Sequence, residues 1–486
     1  MSNVTESDRS HPMTVRFARR PARGAMLGFS APRLAALGLA GTVAILALFA
    51  GGPMGLAISC PLWLPALLAA LVRIGGRPAV EWAGAAVQFG VRRAAGQTDF
   101  RARPLRPRPS GTLALPGDAA AMRLHLDPVT SAAMIHDPHR QTLTAVLAVT
   151  HPAFALLDDA DRAGRVGRWG RVLGGLSATG TCAAVQVLEA TVPDPAVGQR
   201  EWWTSHGASA DSWAARQYRD LLDRVTLGSS THRSTISISL DMRAAARAVR
   251  AAGRGVKGGA EVLRGDMSTL VDSLRQAGVR TAGWLGETDL AVVVRDAFDP
   301  ATLLPPEVVS VAAMAHAGPL AINESWDRLH HDTGWSQVLW ISEWPRIAVP
   351  ADFLHPLIFA PGVRRSLSIL ARPVLTDTAL RQLRKDKTAA IADSAQKARI
   401  GQIADLSDLQ EYDDLLERER SIIAGHADIE FTGLVTVTAP SSDDLDTAVA
   451  TIRRAAGQSC CELRPVYGHQ MQAFTSAALP LGRTTF

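Results

Sequence analysis

From Leu34 to Val72 the chain carries no charged residue over 39 consecutive positions, and no other feature restricts its folding as much. In a bilayer one helical crossing takes about 20 apolar residues. The run is long enough for two short membrane helices, and Gly51-Gly52-Pro53 interrupts it near the middle. On this reading "LAALGLAGTVAILALFA" is the first helix and "GLAISCPLWLPALLAALV" the second, kinked at Pro61 and Pro65 as membrane helices tolerate. The alternatives are a single kinked or re-entrant span and a cleaved signal peptide, which shares the basic leader and apolar core. A second apolar stretch followed at once by arginines argues against the signal peptide.

The flanks predict orientation. Arg16, Arg19, Arg20, Arg23 and Arg33 precede the run, Arg73, Arg77, Arg92 and Arg93 follow it, and the turn between is uncharged. Positive charge is retained on the cytoplasmic side, so both ends of the hairpin are expected in the cytoplasm. Only four of the 51 basic residues are lysines (Lys257, Lys385, Lys387, Lys397), an Arg-rich usage typical of GC-rich bacterial genomes, which makes the bacterial inner membrane the expected location. The basic excess is local. Residues 1–110 hold 14 arginines and four acids, net +10, while the remainder holds 37 basic and 42 acidic residues, net −5. Beside a membrane span, anionic lipid is a better partner for such a flank than nucleic acid.

Residues 78–93, "PAVEWAGAAVQFGVRR", predict an amphipathic helix, either on the membrane surface with Trp82 and Phe89 at the interface and Arg92 and Arg93 near phosphates, or a simple linker helix. A basic, Pro-rich linker, Arg101–Gly111, follows. The expected organisation is a basic tail (1–33), the hairpin (34–72), the helix and linker (73–111), and two soluble domains, 112–304 and 305–486.

Past the linker, β-branched runs alternate with helical stretches. "TLTAVLAVT", "CAAVQVLEATV", "STISISLDM" and "DLAVVVRDAF" read as strands, with helices over Asp158–Leu176, within "ADSWAARQYRDLLDRV" and over Glu261–Ala277. The second domain offers the strands "SQVLWISEWP", "RSLSILARPV", "IEFTGLVTVTA" and "SCCELRPV" and a helix over Asp443–Ala456. Thr376–His426 holds eighteen charged residues and no proline, and reads as two helices broken near Gly401, with Ser407 and Gln410 as a capping box for the second. The fold class is α+β, with a transmembrane hairpin followed by two α/β sandwiches of ferredoxin-like type.

Catalytic signals are sparse. There is no GxxxxGK[ST] and no HExxH. Gly253, Gly255 and Gly258 spell GxGxxG, but a dozen helix-like residues separate them from the preceding strand, so a Gly-rich loop is the better reading. Cys60, Cys182, Cys460 and Cys461 show no metal spacing and read as reduced, packed thiols. His136 and His139 flank Pro138 in a loop, and the adjacent His330 and His331 are expected at the surface or at a helix cap. Trp326, Trp335, Trp340 and Trp344 read as packing residues, with Trp340 and Trp344 on one strand face; base stacking is the alternative. No cofactor, metal or catalytic residue is assigned.

The stretch from Ser336 to Phe486 resembles the N-terminal, non-ATPase part of the conjugation ATPases of type IV secretion systems. "LWISEWPRIAVP", "LARPV", a charged helical stretch, "TVTAPSSDDLDTAVATIRRAAG" and "YGHQMQAFTSAALPLGR" come in that order. The Leu-Pro-Leu-Gly at 479–482 is similar to the point at which that part hands over to the motor, where this chain stops. The hairpin resembles the small two-span inner-membrane subunit of the same machines, and the combination resembles integral membrane proteins of actinobacterial conjugation-like clusters. The resemblance implies a non-enzymatic, membrane-anchored scaffold that docks a separate P-loop ATPase and other secretion-channel subunits, with a homo-oligomer left open. The expected docking residues are Asp413, Glu417 and Glu419 on the charged helices and Gln470 and Phe474 on the closing helix. The alternatives are a membrane-anchored single-stranded DNA binder and a membrane-bound enzyme with an unrecognised site.

Overall fold

In the computed structural model the described residues are 14, 15, 17, 30–74, 76–103, 111–150, 154, 157–193, 197–207, 212–225, 230–301, 314–399, 406–423 and 427–484. They form two compact units. One comprises residues 18–98 with 467–469, the other residues 1–17, 99–466 and 470–486. In the larger unit, β1 (Thr14–Val15) pairs with Pro350 and Val349, and Phe17 stacks on Trp344 at 5.1 Å, so part of the expected basic tail is built into a folded domain.

The smaller unit contains α1 (Ala31–Ile58), α2 (Cys60–Leu71), the short pair β2 (Arg73–Ile74) and β3 (Arg77–Pro78), and α3 (Ala83–Ala94). Helical geometry fails at Gly51 (φ −140°) and Gly52 (φ 58°, ψ −149°), the break expected from the sequence. Gly52 takes a left-handed φ that a side chain would resist, and the chain doubles back there. Arg33 Nε donates to the Ala70 carbonyl at 3.0 Å, which brings the start of the first arm to the end of the second. At 1.5 Å per residue the first arm, 31–50, is about 30 Å long. α1 is long and apolar enough to cross a membrane, and α2 is a shorter apolar helix. Leu39, Met54, Ile58 and Leu62 are exposed, and Phe49 is 86 % exposed.

The larger unit is organised by one thirteen-stranded, antiparallel sheet. Its strands are β4 (Asp99–Arg101), β5 (Arg123–Leu126), β6 (Ala133–Asp137), β7 (Thr142–Thr150), β8 (Cys182–Pro193), β9 (Ser230–Asp241), β10 (Arg280–Trp284), β11 (Ala321–Glu324), β12 (Leu329–His331), β13 (Gly334–Glu343), β15 (Arg364–Val374), β16 (Asp428–Ala439) and β17 (Glu462–Pro465); β14 (Val349–Pro350) pairs only with β1. The helices are α4 (Asp159–Ala178), α5 (Val197–His206), α6 (Trp213–Val225), α7 (Ala246–Ala251), α8 (Gly255–Gln276), α9 (Glu287–Phe298), α10 (His355–Ile358), α11 (Thr376–Arg399), α12 (Leu406–Ile423), α13 (Ser442–Gln458) and α14 (Gln470–Ala477).

The sheet is built from one topology used twice. In the first half the order is β10-β7-β9-β8, and in the second it is β17-β13-β16-β15. Each is a fourth-first-third-second arrangement, with the outer edge of the first strand shared between the fourth strand and a preceding hairpin strand, β6 on β7 and β12 on β13. Each half carries a two-helix insertion between its second and third strands, α5–α6 and α11–α12, and each is followed by a helix on the opposite face, α9 and α14. The halves join where β8 pairs antiparallel with β15, Ala190 opposite Ser366 and Val185 opposite Ala371. A boundary at residue 305 therefore divides the sequence but not the fold. Arg101, the first residue of the expected linker, likewise belongs with Asp99 and Phe100 to the sheet, where β4 pairs with β11; residues 104–110 of that linker lie outside the described residues.

Alternation along the strands explains the layers. In β9, Ile236, Ile238 and Leu240 enter the core beneath α4 and α8, and Leu339, Ile341, Val435 and Val437 do the same beneath α13. The opposite face is covered by α9, α14 and the residues that follow, around Phe298 and Phe474 with ring centroids 5.0 Å apart. The run "DLAVVVRDAF", expected as a strand, lies in α9. Leu290, Ala291, Val293, Val294 and Phe298 are buried at helical spacing, and Asp289 accepts the Gly286 N–H at 3.1 Å. Three consecutive valines favour a strand locally, but the cap and the 3.6-residue period prevail here. The fourth strand is instead "RTAGW", β10.

Candidate functional site

Arg16, Arg19, Arg20 and Arg23 lie outside the described residues. Arg33 is partly buried on Ala70, Arg77 is partly buried, and Arg73 and Arg93 are exposed. Arg92 differs from the expectation. It is buried, and its Nη1 donates to the Gly468 carbonyl at 2.9 Å. Phe89 is buried too, and Trp82 meets Tyr467 edge-on at 4.9 Å. The Trp82, Phe89 and Arg92 side of this segment therefore packs within its own unit, because the 467–469 segment supplies both an aromatic ring and a free carbonyl for it.

The charged stretch after β15 holds two helices, α11 ending at Arg399 and α12 starting at Leu406; the expected break near Gly401 lies outside the described residues, and Ser407 lies inside the first turn of α12 and not before it. Ala379, Leu383, Leu415 and Ile422 are buried, and Lys387 Nζ meets Glu419 Oε2 at 2.7 Å, tying the helices together. Arg418 forks onto Asp428 at 3.0 and 2.6 Å, and that hydrogen bond raises its pKa. Asp413 and Glu417, four residues apart, lie exposed on one face of α12. Of the five expected docking residues, these two face solvent without a structural duty, whereas Glu419 holds the helix pair.

Gln470 and Phe474 do not form a docking surface. They are 0 % and 1 % exposed. The Gln470 amide bonds both the N–H and the C=O of Val338, at 2.8 and 3.3 Å, and Phe474 fills the core against Phe298. The whole closing segment lies across the sheet. Gln186 Nε2 reaches the carbonyls of Ser476 and Leu479 at 3.0 and 2.9 Å, Gln186 Oε1 accepts the Gly482 N–H at 2.7 Å, and Ser237 donates to Pro480 at 2.8 Å. Arg483 completes the strap with ion pairs to Asp118 (2.8 Å) and Asp137 (3.0 Å). Sequence reading missed this role; the signal was the short polar residues alternating in "STISIS", which suit a covering backbone as well as they suit water.

Among the described residues, two of the cysteines and one histidine of the candidate set are absorbed into structure. Burial pushes the Cys182 thiol up to about 12, with Asp266 adding to the shift, and burial does the same for Cys461, also to about 12. Both are poor nucleophiles. Cys460 is exposed, contrary to the expectation of a packed thiol. His331, expected at the surface, is fully buried between the Phe298 carbonyl (2.6 Å) and Ser336 Oγ (2.7 Å), and burial pushes it down to about 4. His330 is exposed and stacks on Trp335 at 4.3 Å. His136 lies in β6 and His139 in the turn after it. Among the described residues no three His, Cys, Asp or Glu side chains converge as a metal set.

The glycines of GxGxxG make the α7–α8 turn. Gly253 and Gly255 have φ of 114° and 57°, and a Cβ at Gly258 would collide with the Val249 carbonyl. Trp340 and Trp344 lie on opposite faces. Register shifts between Ile341 and Glu343, and this irregularity exchanges the sides, so Trp340 packs toward α14 and Trp344 toward α10 and α13. A shared aromatic platform is not formed by these two residues. No protein-family model and no curated protein sequence matches the chain.

Proposed function

We propose that the chain is a membrane-anchored scaffold without catalytic chemistry of its own, which docks a separate ATPase at the inner-membrane face of a type IV secretion or conjugation-like channel. The observation that carries the reading is the apolar helical hairpin, uncharged over 39 residues and closed by Arg33 on Ala70. Its outward side chains are apolar along both arms, a surface suited to lipid. Each sheet half, with its fourth-first-third-second strand order and helices on one face, supports a ferredoxin-like description of the two repeats. The order of segments in residues 336–486 supports kinship with the non-ATPase part of conjugation ATPases, and the sequence contains no P-loop that would supply hydrolysis in cis.

The physical contribution of such a protein is tethering. Anchoring a docking domain raises the partner's effective concentration at the channel to roughly millimolar without any new contact. The Asp413 and Glu417 face of α12 offers acidic, salt-sensitive contacts that set orientation and on-rate more than affinity.

Two experiments test the reading. Single cysteines at positions 10 and 120, in a background lacking Cys60, Cys182, Cys460 and Cys461, should both resist impermeant thiol reagents in intact cells; labelling of either from outside overturns the hairpin topology. A P-loop ATPase encoded beside this chain should co-purify with it at low salt and be lost with Asp413→Lys and Glu417→Lys. Equal recovery with the double variant overturns the docking face, and no association in membranes or in detergent overturns the scaffold role.

A further inference from the structure

The junction of the two repeats leaves a polar cavity beneath α9 and α14. Register across the four central strands aligns Thr436, Ser366, Ala190 and Arg233 in one row and Leu434, Ser368, Leu188 and Thr235 in the next, all on the covered face. Ala190 is too short to reach the roof formed by Asp296 of α9 and Phe474 of α14, and Ser366 opposite it turns its hydroxyl to the Ala477 carbonyl at 3.0 Å. The gap is about 50 Å³.

Two observations say what belongs there. Thr235 and Thr436 line the cavity, each only 2 % exposed, and neither hydroxyl has a hydrogen-bond partner. A buried hydroxyl left without a partner destabilises the fold. The second observation is charge. Arg364 enters from β15, donating to the carbonyls of Asp296 (2.6 Å) and Pro300 (3.3 Å), and Arg233 pairs with Asp296 Oδ2 at 3.0 Å. Two guanidinium groups, with five N–H donors each, line the cavity against the single carboxylate of Asp296; Asp299, which also acts on Arg364, lies outside the lining and is paired with Arg295, so the lining is positive by one charge. Arg365 does not contribute, since its guanidinium caps the carbonyls of Leu357, Ala360 and Val363. Burial lowers the pKa of Arg364, a direction that a bound anion would reverse. Water would satisfy the hydroxyls but leave the charge.

We propose that this cavity is a binding site for a small oxyanion of the size of inorganic phosphate, held by the Thr235 and Thr436 hydroxyls and by the Arg233 and Arg364 guanidinium groups. The anion would tie the two repeats to the helices that roof them.

The test is thermal unfolding of the full chain in detergent with rising inorganic phosphate, against chloride at equal ionic strength. Phosphate should raise the midpoint saturably, and sulfate should compete. Thr235→Val and Thr436→Val, close in volume, should each weaken apparent affinity about tenfold or more while leaving the anion-free midpoint equal or higher. Ala190→Val, which fills the gap, should abolish the response and serves as the independent variant if a valine at either threonine prevents folding. A response to phosphate without one to glycerol phosphate marks the free ion, and equal responses mark the phosphoryl group of a larger molecule; both support the site. No saturable rise over chloride, or unchanged phosphate affinity in the folded variants, means that the cavity holds water only and overturns the proposal.

Discussion

Replacing Gln186 by leucine should release the strap that closes the sheet. The side chain is fully buried in the middle of β8, and leucine nearly matches its volume, so the change isolates hydrogen bonding from packing. Three backbone groups lose a partner, but not equally. The Leu479 carbonyl keeps the Leu481 N–H at 2.9 Å, and the Ser476 carbonyl keeps Ser368 Oγ at 3.3 Å. The Gly482 N–H loses its amide acceptor at 2.7 Å. An orphaned buried group costs about 1–3 kcal/mol; one full loss and two partial ones give about 2–4 kcal/mol. Because tenfold corresponds to about 1.4 kcal/mol, amide exchange over residues 478–484 should quicken by about 30- to 1,000-fold, read by hydrogen-exchange mass spectrometry. Local exchange is the proper assay, since a chain with two units need not unfold in one step. Gln186→Glu should restore part of the protection at low pH, where a protonated carboxyl donates again. Acceleration below about threefold in Gln186→Leu would refute the claim that this amide holds the strap.

Gly482 has φ 61°, and a Cβ there would fall well inside contact with Ser239 Oγ, so Gly482→Ala should cost about 1–3 kcal/mol and expose the strap to limited proteolysis. His331 has a folded pKa of about 4, below its ordinary 6.5. The unfolded chain therefore takes up the proton first, and the contribution of His331 is complete above pH 6.5 and is lost as pH falls toward 4. Urea midpoints should drop across that window, less steeply in His331→Gln; an unchanged slope refutes the assignment. Exposed Cys460 should react with iodoacetamide at pH 8 well before Cys182, whose thiol is held near 12, and peptide mapping after brief alkylation checks this order.

Local chemistry determined most elements of this chain. An uncharged run with Gly-Gly-Pro at its middle leaves a helical hairpin as the economical way to satisfy its backbone, and strict alternation in β9 sets its faces whatever lies around it. Helical spacing and a missing proline similarly set α11 and α12. What the sequence could not determine was which surfaces would meet. β8 and β15 pair through backbone groups that every residue possesses, so nothing in their side chains announces that two domains share one sheet. The closing helix, with Gln470 and Phe474, is expected at a docking surface because no strand pattern requires it to complete a sheet. Its place is decided by Gln186, Ser237 and Ser366, distant in sequence, whose polar atoms have no water to turn to. The docking assignment divided for the same reason. Asp413 and Glu417 stay outside because carboxylates avoid uncompensated burial, whereas Phe474 and Gln470 are drawn inward by a core and by a strand carbonyl that only the folded chain brings near them.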